Sequence, residues 1–442
     1  MRTFRGGVHP HGRKEATAEK PIVDLAPPKE LVYPLSQHIG APAVPCVKTG
    51  DAVLMGQKIA EASGYVSANI HSSVSGTVKT IEKRLHPNGS VMECIVIEND
   101  GQDTPVSELT QPNRDYKSLS AKELLDLIQE AGIVGMGGAT FPTHVKLTPP
   151  PEAKIDYVII NGAECEPYLT SDYRAMLETP DKILTGLAII LQIFGLKTGY
   201  IGIEDNKPKA IEVMRTAAAG FQDADIQIVS LKTKYPQGAE KQLINAVTGR
   251  KVKPGQLPWQ VGCIVSNIDT AASITRAVVE HKPLMQRIVT LGGDALKNPL
   301  NYRVRIGTPF GYILEQSGGF SAPVKKLLMG GPMMGLAVPN QSVPVIKGTS
   351  GILAFGEKAA RLDAEQPCVR CAKCLYVCPM SLQPNLLDKF SRSDDFATLE
   401  KLHIADCIEC GSCAYVCPSK RRQVQQIKVA KVKMKSAQTK AK

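Results

Sequence analysis

The chain has 442 residues, of which 43% are hydrophobic and 5% aromatic, and its formal net charge is +11. This length predicts three or four domains of ~100–200 residues each, and the scarcity of aromatic residues favours α/β layers over an aromatic-rich β-sandwich. Nine lysines and arginines and no acidic residue lie between 420 and 442, but no nucleic-acid-binding motif accompanies them, so nucleic acid is excluded as an expected partner.

The first residues and the apolar segments predict neither a secretory signal nor a membrane span. Residues 1–7 contain no apolar core of the kind that a signal peptide needs. The longest apolar stretch, residues 183–196, would span only ~21 Å as a helix, which is short of the ~30 Å hydrocarbon core of a bilayer. We therefore expect a protein that does not cross a membrane.

Residues 1–30 are predicted to form an extended N-terminal arm, because Gly and Pro recur too densely there for a helix. Residues 31–115 alternate apolar and polar residues in short runs, which is typical of a β domain. Within it, residues 47–57 and 75–78 resemble the two halves of a barrel-sandwich hybrid of the biotinyl/lipoyl type. A swinging-arm carrier of that type needs a lysine at the hairpin tip, where this chain has His71-Ser72-Ser73. We therefore predict a structural module that carries no attached cofactor.

Residues 118–285 alternate helical and strand patterns, which predicts an α/β layer domain. A polar linker precedes this domain, and Ser120 with Glu123 three residues later is the signature of a capping box at the start of a helix over 121–132. The predicted strands cover residues 157–160, 198–203, 226–231 and 262–265.

Short strand patterns return over residues 286–350, and this region resembles a soluble-ligand-binding β-grasp (SLBB) module. Residues 355–425 hold two cysteine motifs and are predicted to form a ferredoxin-like domain of two helical cysteine arms around an inserted segment. Residues 426–442 are predicted to be a solvated, disordered basic tail. The alternative is a contact with anionic lipid or an acidic partner, because a basic segment gains ~1 kcal/mol per charge near such a surface.

A glycine-rich loop at residues 135–142 is the first motif with chemical meaning. It follows a helix rather than a strand, so it is not a Rossmann fingerprint. Gly135, Gly137 and Gly138 would let backbone N–H groups approach a phosphate or a flat ring, and the downstream Lys146 could meet a phosphate. The alternative reading is a plain turn.

An acidic segment at residues 161–167 follows the strand predicted over 157–160. Ligands of open α/β sheets gather at the carboxyl ends of strands. Glu164 and Glu166 could there bind ribose hydroxyls or position a nicotinamide, and the alternative is a pair that caps or solvates a loop. Cys165 lies between them, while the other scattered cysteines, Cys46, Cys94 and Cys263, are expected to be buried thiols.

Two copies of one cysteine pattern predict two [4Fe–4S] clusters. In each copy, three cysteines at this spacing hold three corners of one cluster and the fourth, followed by proline, crosses to the other cluster. The predicted ligand sets are Cys368, Cys371, Cys374 and Cys417 for one cluster, and Cys407, Cys410, Cys413 and Cys378 for the other. Thiolate ligands need a reducing compartment, so we expect the chain in the cytoplasm.

The glycine loop and the acidic segment together resemble the FMN- and NADH-binding motifs in the flavin subunit of respiratory complex I. Two further segments, 235–240 and 265–270, resemble later motifs of that family in the same order. The chain departs from the family at four positions, where Met136, Ala163, Ala239 and Ser266 replace Arg, Asp, Glu and Asn. The resemblance implies the following FMN- and NAD(H)-binding residues: Gly135, Gly137, Gly138, Ala139, Phe141, Lys146, Asn161, Glu164, Glu166, Gly238, Glu240, Asn267 and Thr270.

The same resemblance implies how these residues act. FMN would lie against residues 135–142 with Lys146 near its phosphate and Asn161 and Asn267 on its polar edges. NAD(H) would stack on the flavin, held by Glu164 and Glu240, with Phe141 lining the cleft. No residue needs to act as a general acid or base, because the cofactors carry the chemistry.

The order of all these regions resembles the RnfC family, the C subunits of the Rnf complexes, which are membrane-bound, ion-translocating ferredoxin:NAD oxidoreductases. The matching features are an N-terminal Phe4-Arg5-Gly6-Gly7 segment, a barrel that comes first, a flavin domain, an SLBB module with a glycine-rich turn at 330–335, and two cluster motifs. Membership would imply a peripheral NADH/FMN/iron–sulfur subunit on the cytoplasmic face of the membrane. Its expected partners would be the membrane and iron–sulfur subunits of the same complex, NAD(H), and ferredoxin or a ferredoxin-like subunit.

Two other functions stay open at this stage. The four departures from the complex I motifs favour a non-catalytic iron–sulfur relay and docking scaffold with a decayed flavin site. A cobalamin reductase shares the flavin, SLBB and cluster parts, but in that family the chain begins at the glycine loop and the barrel comes later.

Overall fold

A computed structural model describes residues 2–440. The N-terminal arm has no helix, as predicted, and it packs against the domains that follow. Phe4 and Val8 are buried, and the backbone of Val8 bridges to Tyr235 in the α/β domain. Further along, the arm contributes strand β1 (Ile22–Asp24), which pairs in parallel with a strand of the third domain. The arm is therefore an integral part of the packed molecule.

The β domain is built from two small antiparallel sheets. Their strands follow the orders β2-β8-β7-β4 and β3-β5-β6. The strands are β2 (Glu30–Pro34), β3 (Val44–Pro45), β4 (Ala52–Val53), β5 (Lys58–Glu61), β6 (Ile70–His71), β7 (Gly76–Leu85) and β8 (Val91–Asn99). The hairpin tip, where a carrier domain would have its lysine, is covered by other parts of the chain. Ser72 and Ser73 are buried there, and the Ser73 hydroxyl donates to the Ile306 carbonyl of the third domain.

The α/β domain has one parallel sheet of four strands in the order β11-β10-β9-β12. The strands are β9 (Tyr157–Gly162), β10 (Thr198–Glu204), β11 (Asp225–Leu231) and β12 (Cys263–Asn267). The helices are α1 (Ala121–Glu130), α2 (Thr143–Lys146), α3 (Ser171–Glu178), α4 (Pro180–Phe194), α5 (Pro208–Gly220), α6 (Glu240–Thr248) and α7 (Ile268–Val278). All four predicted strands are present, and Ser120 and Glu123 form the predicted capping box.

The third domain has a mixed six-stranded sheet in the order β1-β14-β13-β17-β15-β16. Its elements are β13 (Gln286–Gly292), β14 (Leu300–Arg305), α8 (Phe310–Gln316), β15 (Lys326–Met329), β16 (Leu336–Ala337) and β17 (Gly351–Phe355). Because β17 is central in this sheet and β1 comes from the arm, the sheet extends beyond the predicted 286–350 region at both ends.

A buried lysine joins the first three domains. Lys347 is fully buried and donates hydrogen bonds to the carbonyls of Asn69 in the β domain and Gly132 at the end of α1. Burial lowers the pKa of its ammonium group to about 7. Backbone carbonyls buried between domains need donors, and this side chain supplies them directly before the glycine loop.

The helical domain carries the cysteine motifs, and its last helix covers most of the segment that was predicted to be a disordered tail. Its helices are α9 (Lys373–Val377), α10 (Pro384–Arg392), α11 (Phe396–Lys401), α12 (Ser412–Tyr415) and α13 (Gln423–Lys440). The prediction of a disordered tail over 426–442 is wrong for residues 426–440, which belong to α13. Ile427 and Ala430 are buried against Leu387, so a sparse apolar face was overlooked among the charges. Residues 441–442 lie outside the described part of the chain.

Helix α4 crosses α7 at a glycine, which gives a stability prediction. A Cβ added to Gly186 would lie 1.9 Å from the Ala271 carbonyl oxygen, so Gly186→Ala should destabilise the chain by roughly 1–3 kcal/mol through overpacking. Gly220, at the end of α5, has open space around its Cβ position, and Gly220→Ala should be neutral or stabilising by up to ~1 kcal/mol. Urea unfolding measures the free energy of unfolding of both variants. Equal changes in the two variants would contradict the prediction.

In residues 2–440, no helix combines the length and the apolar character needed to cross a bilayer.

Candidate functional site

The acidic segment is an irregular loop after β9, held by two lysines from elsewhere in the chain. The Lys14 ammonium donates to the carbonyls of Glu164 and Glu166, each at 3.0 Å, and to the carbonyl of Leu169. The buried Lys207 donates to the Ala163 carbonyl at 2.6 Å. A loop without regular structure leaves its carbonyls unpaired, so these ammonium groups supply the missing donors. The sequence analysis missed both lysines.

Glu164 faces inward at the bend of this segment. Its backbone has a φ of +44°, its carboxylate accepts from the Asp172 N–H at 2.7 Å, and its second oxygen lies 3.8 Å from the Lys14 ammonium. Among residues 2–440, that second oxygen finds no hydrogen-bond partner. Burial raises the pKa of Glu164. An enclosed carboxylate oxygen without a donor is an unmet hydrogen-bonding group at this site.

Glu166 connects the α/β domain to the glycine-rich turn of the third domain. Its carboxylate accepts from the N–H groups of Met333 and Met334 at 3.0 and 2.9 Å. A Cβ at Gly331 would lie 2.2 Å from this carboxylate, so only glycine allows the approach. Burial raises the pKa of Glu166 to about 7. The structure thus places Glu166 in an interdomain contact, apart from the other predicted ligands.

Asn161 and Lys146 each join two of the predicted motifs. The Asn161 amide donates to the Gly238 carbonyl at 2.7 Å, and the Gly238 N–H in turn donates to the Cys165 sulfur at 3.4 Å. The Lys146 ammonium donates to a Glu240 carboxylate oxygen at 3.0 Å. Both side chains of this second pair remain about one-third exposed, so the pair is accessible to solvent.

The glycine loop closes on itself and leaves its outer rim uncovered. The Gly135 N–H donates to the Phe141 carbonyl at 2.8 Å, which fixes the base of the loop. Gly137, Gly138 and Ala139 are exposed at its rim. A Cβ at Gly138 would meet nothing within 4 Å, whereas one at Gly137 would lie 2.7 Å from the Asn267 amide nitrogen. The backbone at the rim is therefore exposed to solvent, and its role in binding a ligand stays a prediction.

Asn267 and Thr270 hold the loop against the start of α7. The Asn267 side-chain oxygen caps α7, and its amide donates to an Asp172 carboxylate oxygen at 2.7 Å. The Met136 N–H donates to the Thr270 hydroxyl at 3.0 Å. Behind them, the buried Arg287 of β13 pairs with Asp269. Asp172 and Arg287 were missed because nothing in the local sequence marks them.

These observations fit a flavin nucleotide. The uncovered backbone of residues 137–139 suits a phosphate or a ring face. Lys146 is a partly exposed cation of the same domain, while the Asn161 and Asn267 amides already donate to Gly238 and Asp172. Met136 is 2% exposed and packs into the core, so this departure from the complex I motif leaves no gap at the loop rim.

Cysteines of the second motif line a small, partly open cavity in the helical domain. The predicted set of Cys378, Cys407, Cys410 and Cys413 lines this one cavity together. Burial raises the pKa of Cys407 to about 11, and the neighbouring thiols of Cys410 and Cys378 add to the shift. This is the cross-ligated arrangement expected from the sequence, so these four residues fit a [4Fe–4S] cluster. Among the described residues, no group of three or more His, Cys, Asp or Glu side chains has the arrangement that would hold a single metal ion.

The other cysteine set lies farther out. Cys368 and Cys371 are exposed, Cys374 is buried and Cys417 is half-buried. Cys374 packs against Cys413 of the other set, so the two sets are adjacent. We call Cys368, Cys371, Cys374 and Cys417 the outer set because two of its members are exposed; that they bind one cluster stays a prediction.

We call Cys378, Cys407, Cys410 and Cys413 the inner set. This set contacts the α/β domain directly. The buried Tyr235 hydroxyl donates to the Cys410 carbonyl at 2.7 Å. Tyr235 and Cys410 share a small apolar cluster with Cys165, Met333 and Val377. The acidic segment and a cluster site are thus joined through packed side chains without an intervening domain.

The buried Asp172 gives a pH prediction. Burial, with the charges of Glu164 and Asp269, raises its pKa to about 7, whereas an unfolded Asp titrates near ~3.9. Between these values the folded state binds more protons, so its stability falls as pH rises. Relative to Asp172→Asn, the native chain should lose roughly 1–3 kcal/mol between pH 4 and 7. Urea titrations at each pH measure this, with Asp126→Asn as an exposed control, and a pH-independent difference would contradict it.

Four protein-family models match the chain in succession. They are the RnfC barrel sandwich hybrid domain over residues 2–102, the Nuo51 FMN-binding domain over 128–276, the SLBB domain over 288–337 and the 4Fe-4S dicluster domain over 367–421. The fold class predicted from the sequence, with its barrel-sandwich hybrid, flavin-subunit-like α/β domain, SLBB module and two-cluster domain, is confirmed.

Curated relatives match over nearly the whole chain. The C subunit of the proton-translocating ferredoxin:NAD(+) oxidoreductase complex of Clostridium ljungdahlii is 50% identical over 99% of this chain and 95% of its own length. The Na(+)-translocating counterpart of Acetobacterium woodii is 46% identical over 97% and 96%. Among solved structures, an NAD+-reducing [NiFe]-hydrogenase aligns with a TM-score of 0.51 at 16% identity, covering 74% of this chain and 65% of that one, which supports the fold alone.

Proposed function

We propose a role for each part of this site from the premise that the chain belongs to the family of C subunits of ion-translocating ferredoxin:NAD(+) oxidoreductase complexes, the Rnf complexes. It is an NAD-linked flavin and iron–sulfur electron-transfer subunit of such a complex, with FMN and two [4Fe–4S] clusters as its cofactors. The proposal concerns which residues bind each cofactor and in which order electrons pass.

FMN is proposed to bind against the rim of residues 137–139. When bound, it supplies the conversion between a hydride and the single electrons that iron–sulfur clusters carry. The exposed backbone receives the nucleotide, Lys146 provides the cation for its phosphate, and Asn267 fixes the loop beneath it. In the structure Glu240 pairs with Lys146. When Lys146 binds the FMN phosphate, the Glu240 carboxylate is released from this pair and can bind NAD(H).

The observation that carries this proposal is the contact between Tyr235 and Cys410. It joins the segment beside the proposed flavin site to the inner cysteine set. We propose that electrons pass between the flavin site and the inner set, and then between the inner and the outer set. Burial of Cys410 and Cys413 in the inner set and exposure of Cys368 and Cys371 in the outer set support this order.

The proposed surroundings follow from the same family. We place the chain at the cytoplasmic face of the membrane, bound to the membrane and iron–sulfur subunits of its complex, with NAD(H) as substrate and ferredoxin or a ferredoxin-like subunit as electron partner. The relay-scaffold alternative drew on the departures from the complex I motifs. Met136 and Ala163 are both buried in packed core, so these positions give it no support.

An anaerobic NADH titration of the purified chain, reconstituted with FMN, tests the proposal. Bleaching of the flavin absorbance together with reduced [4Fe–4S] signals in EPR spectra is the expected result. Clusters that dithionite reduces but NADH does not, in a chain that takes up no flavin, would overturn it.

A glutamate variant tests the NAD(H) contact separately. Glu240→Gln should raise the NADH concentration for half-reduction by about tenfold, the value of one lost charge-assisted hydrogen bond of ~1.5 kcal/mol. Glu212→Gln, on the exposed face of α5 in the same domain, should leave it unchanged. If both variants need the same NADH concentration for half-reduction, Glu240 does not bind NAD(H).

A further inference from the structure

The two cysteine loops are equivalent in sequence but differ in their surroundings. We call residues 405–412 the inner loop and residues 366–373 the outer loop. The inner loop is covered by the rest of the chain. Tyr235 donates to the carbonyl of Cys410, a Cβ at Gly411 would lie 3.1 Å from the Met333 carbonyl, and Lys431 donates to the carbonyl of Cys407 at 2.6 Å. The α/β and third domains therefore act as its partners.

The outer loop has no such cover. Val369 is 65% exposed, whereas its counterpart Ile408 in the inner loop is half-buried. Cys368 and Cys371 are exposed, whereas Cys410 is 7% exposed. Tyr376, three residues beyond the outer loop, is 78% exposed, against 52% for its counterpart Tyr415. Two exposed apolar side chains thus lie close in sequence to two exposed, predicted cluster ligands.

The two loops also carry opposite charges. The inner stretch 405–415 contains Asp406 and Glu409 and no basic residue, and Lys431 pairs with Glu409 at 2.9 Å. The corresponding outer stretch 366–376 contains Arg370 and Lys373 and no acidic residue. Within the described residues, neither of these two basic side chains forms a salt bridge or a hydrogen bond. Exposed cations around an apolar centre complement an acidic surface.

We propose that the outer loop and Tyr376 form the docking surface for an acidic protein domain that carries a one-electron redox centre. Val369 and Tyr376 would supply the apolar centre of the contact, and Arg370 and Lys373 would pair with carboxylates at its edge. The contact brings the partner's centre next to Cys368 and Cys371, where the distance for electron transfer is shortest. This inference rests on the proposed function, since it gives the outer cysteine set its electron partner.

The observations favour a protein partner over a lipid surface. A membrane contact would explain two cations and a tyrosine, but it would cover the exposed cysteine set and separate it from any electron carrier. An acidic redox protein domain would contact the two cations and the exposed apolar side chains, and would place its redox centre beside the exposed cysteines. Docking of this kind gains its rate from charge attraction and its geometry from the apolar centre.

Photo-crosslinking in the assembled complex tests where the surface points. A benzophenone amino acid replaces Tyr376 in one sample and Lys401 of α11 in a control, and the crosslinked peptides are identified by mass spectrometry. We expect Tyr376 to crosslink to an acidic segment of a protein that holds a redox centre, and Lys401 not to. Crosslinks only to lipid, only to a second copy of this chain, or to nothing would overturn the proposal.

Charge reversal tests the role of the two cations. In the complex, Arg370→Glu with Lys373→Glu should slow electron exchange beyond this chain by at least about tenfold at low ionic strength and remove most of its salt dependence. Lys401→Glu, with one reversed charge on the same domain, should change neither. A salt dependence that the double variant leaves unaltered would overturn the proposal.

A measurement on the isolated chain separates this inference from the proposed function. NADH should reduce the flavin and both clusters of the charge-reversed variant to the same extent as in the native chain, because that reduction needs no partner. If NADH fails to reduce even the native chain, the proposed function fails. If NADH reduction is intact but no redox-bearing partner crosslinks, only the docking surface fails.

Discussion

Cys410→Ala is expected to halve the iron content of the purified chain and to stop electrons from leaving the flavin. Cys410 lines the inner cavity with three other cysteines, and its carbonyl accepts from Tyr235. A [4Fe–4S] cluster with one ligand removed is not retained where no other thiolate replaces it. Iron analysis should show about four atoms per chain instead of about eight. NADH should still bleach the flavin, while the outer cluster stays oxidised.

The matched control is Cys46→Ala. Cys46 is exposed, so the prediction that it is a buried thiol is wrong, and its sulfur donates to the Lys58 carbonyl at 3.3 Å. Its iron content and cluster reduction should equal those of the native chain. Cys371→Ala, in the outer set, completes the series: the inner cluster should still be reduced by NADH. If the outer cluster were reduced at the native rate in Cys410→Ala, the inner set would not lie on the electron path.

The cysteine ligand sets are predicted from local information. The spacing of three cysteines, followed by a fourth before proline, predicts which thiolates share a cluster, and the structure places Cys378 in the same cavity as three cysteines of the second motif. The strand after which the acidic segment comes, and the capping box at Ser120, were predictable for the same reason. Each is a pattern within a few residues.

The supports of the site were not predictable because they come from distant parts of the chain. Lys14 reaches the acidic segment from an arm 150 residues away, and Arg287 reaches Asp269 from another domain. An isolated lysine in an extended arm looks solvated in sequence. Only the packed structure shows that the carbonyls after β9 need donors and that no nearby residue supplies them.

Glu166 shows a different limit. Sequence spacing made it equivalent to Glu164, since one residue separates the two carboxylates at the end of the same strand. In an irregular loop, neighbouring side chains diverge, and the structure turns Glu166 toward Met333 and Met334. The basic helix α13 was misread for a related reason: Lys431 and Lys433 pair with Glu409 and Asp394, which the charge count alone does not reveal.

Lys14→Met is expected to destabilise the chain by about 3–5 kcal/mol and to release FMN. The substitution removes a buried charge and leaves Glu164 without its ion partner, which is the costly way to break such a pair. It also leaves the carbonyls of Glu164, Glu166 and Leu169 without their donor. Urea unfolding measures the stability, and flavin content after gel filtration measures the release. Lys20→Met, at an exposed lysine of the same arm with one carbonyl bond, should change stability by less than about 0.5 kcal/mol.

A double variant separates the charge from the hydrogen bonds. Glu164→Gln alone leaves the Lys14 ammonium without its counter-charge, while Lys14→Met with Glu164→Gln leaves no unpaired buried charge. The double variant should therefore be less destabilised than the sum of the single ones, by a coupling of roughly 1–3 kcal/mol. Additive effects would show that Lys14 acts through the carbonyls alone. For Lys14→Met, NADH reduction should follow flavin content, because Lys14 holds the acidic segment beside the proposed flavin site and is not itself placed against either cofactor.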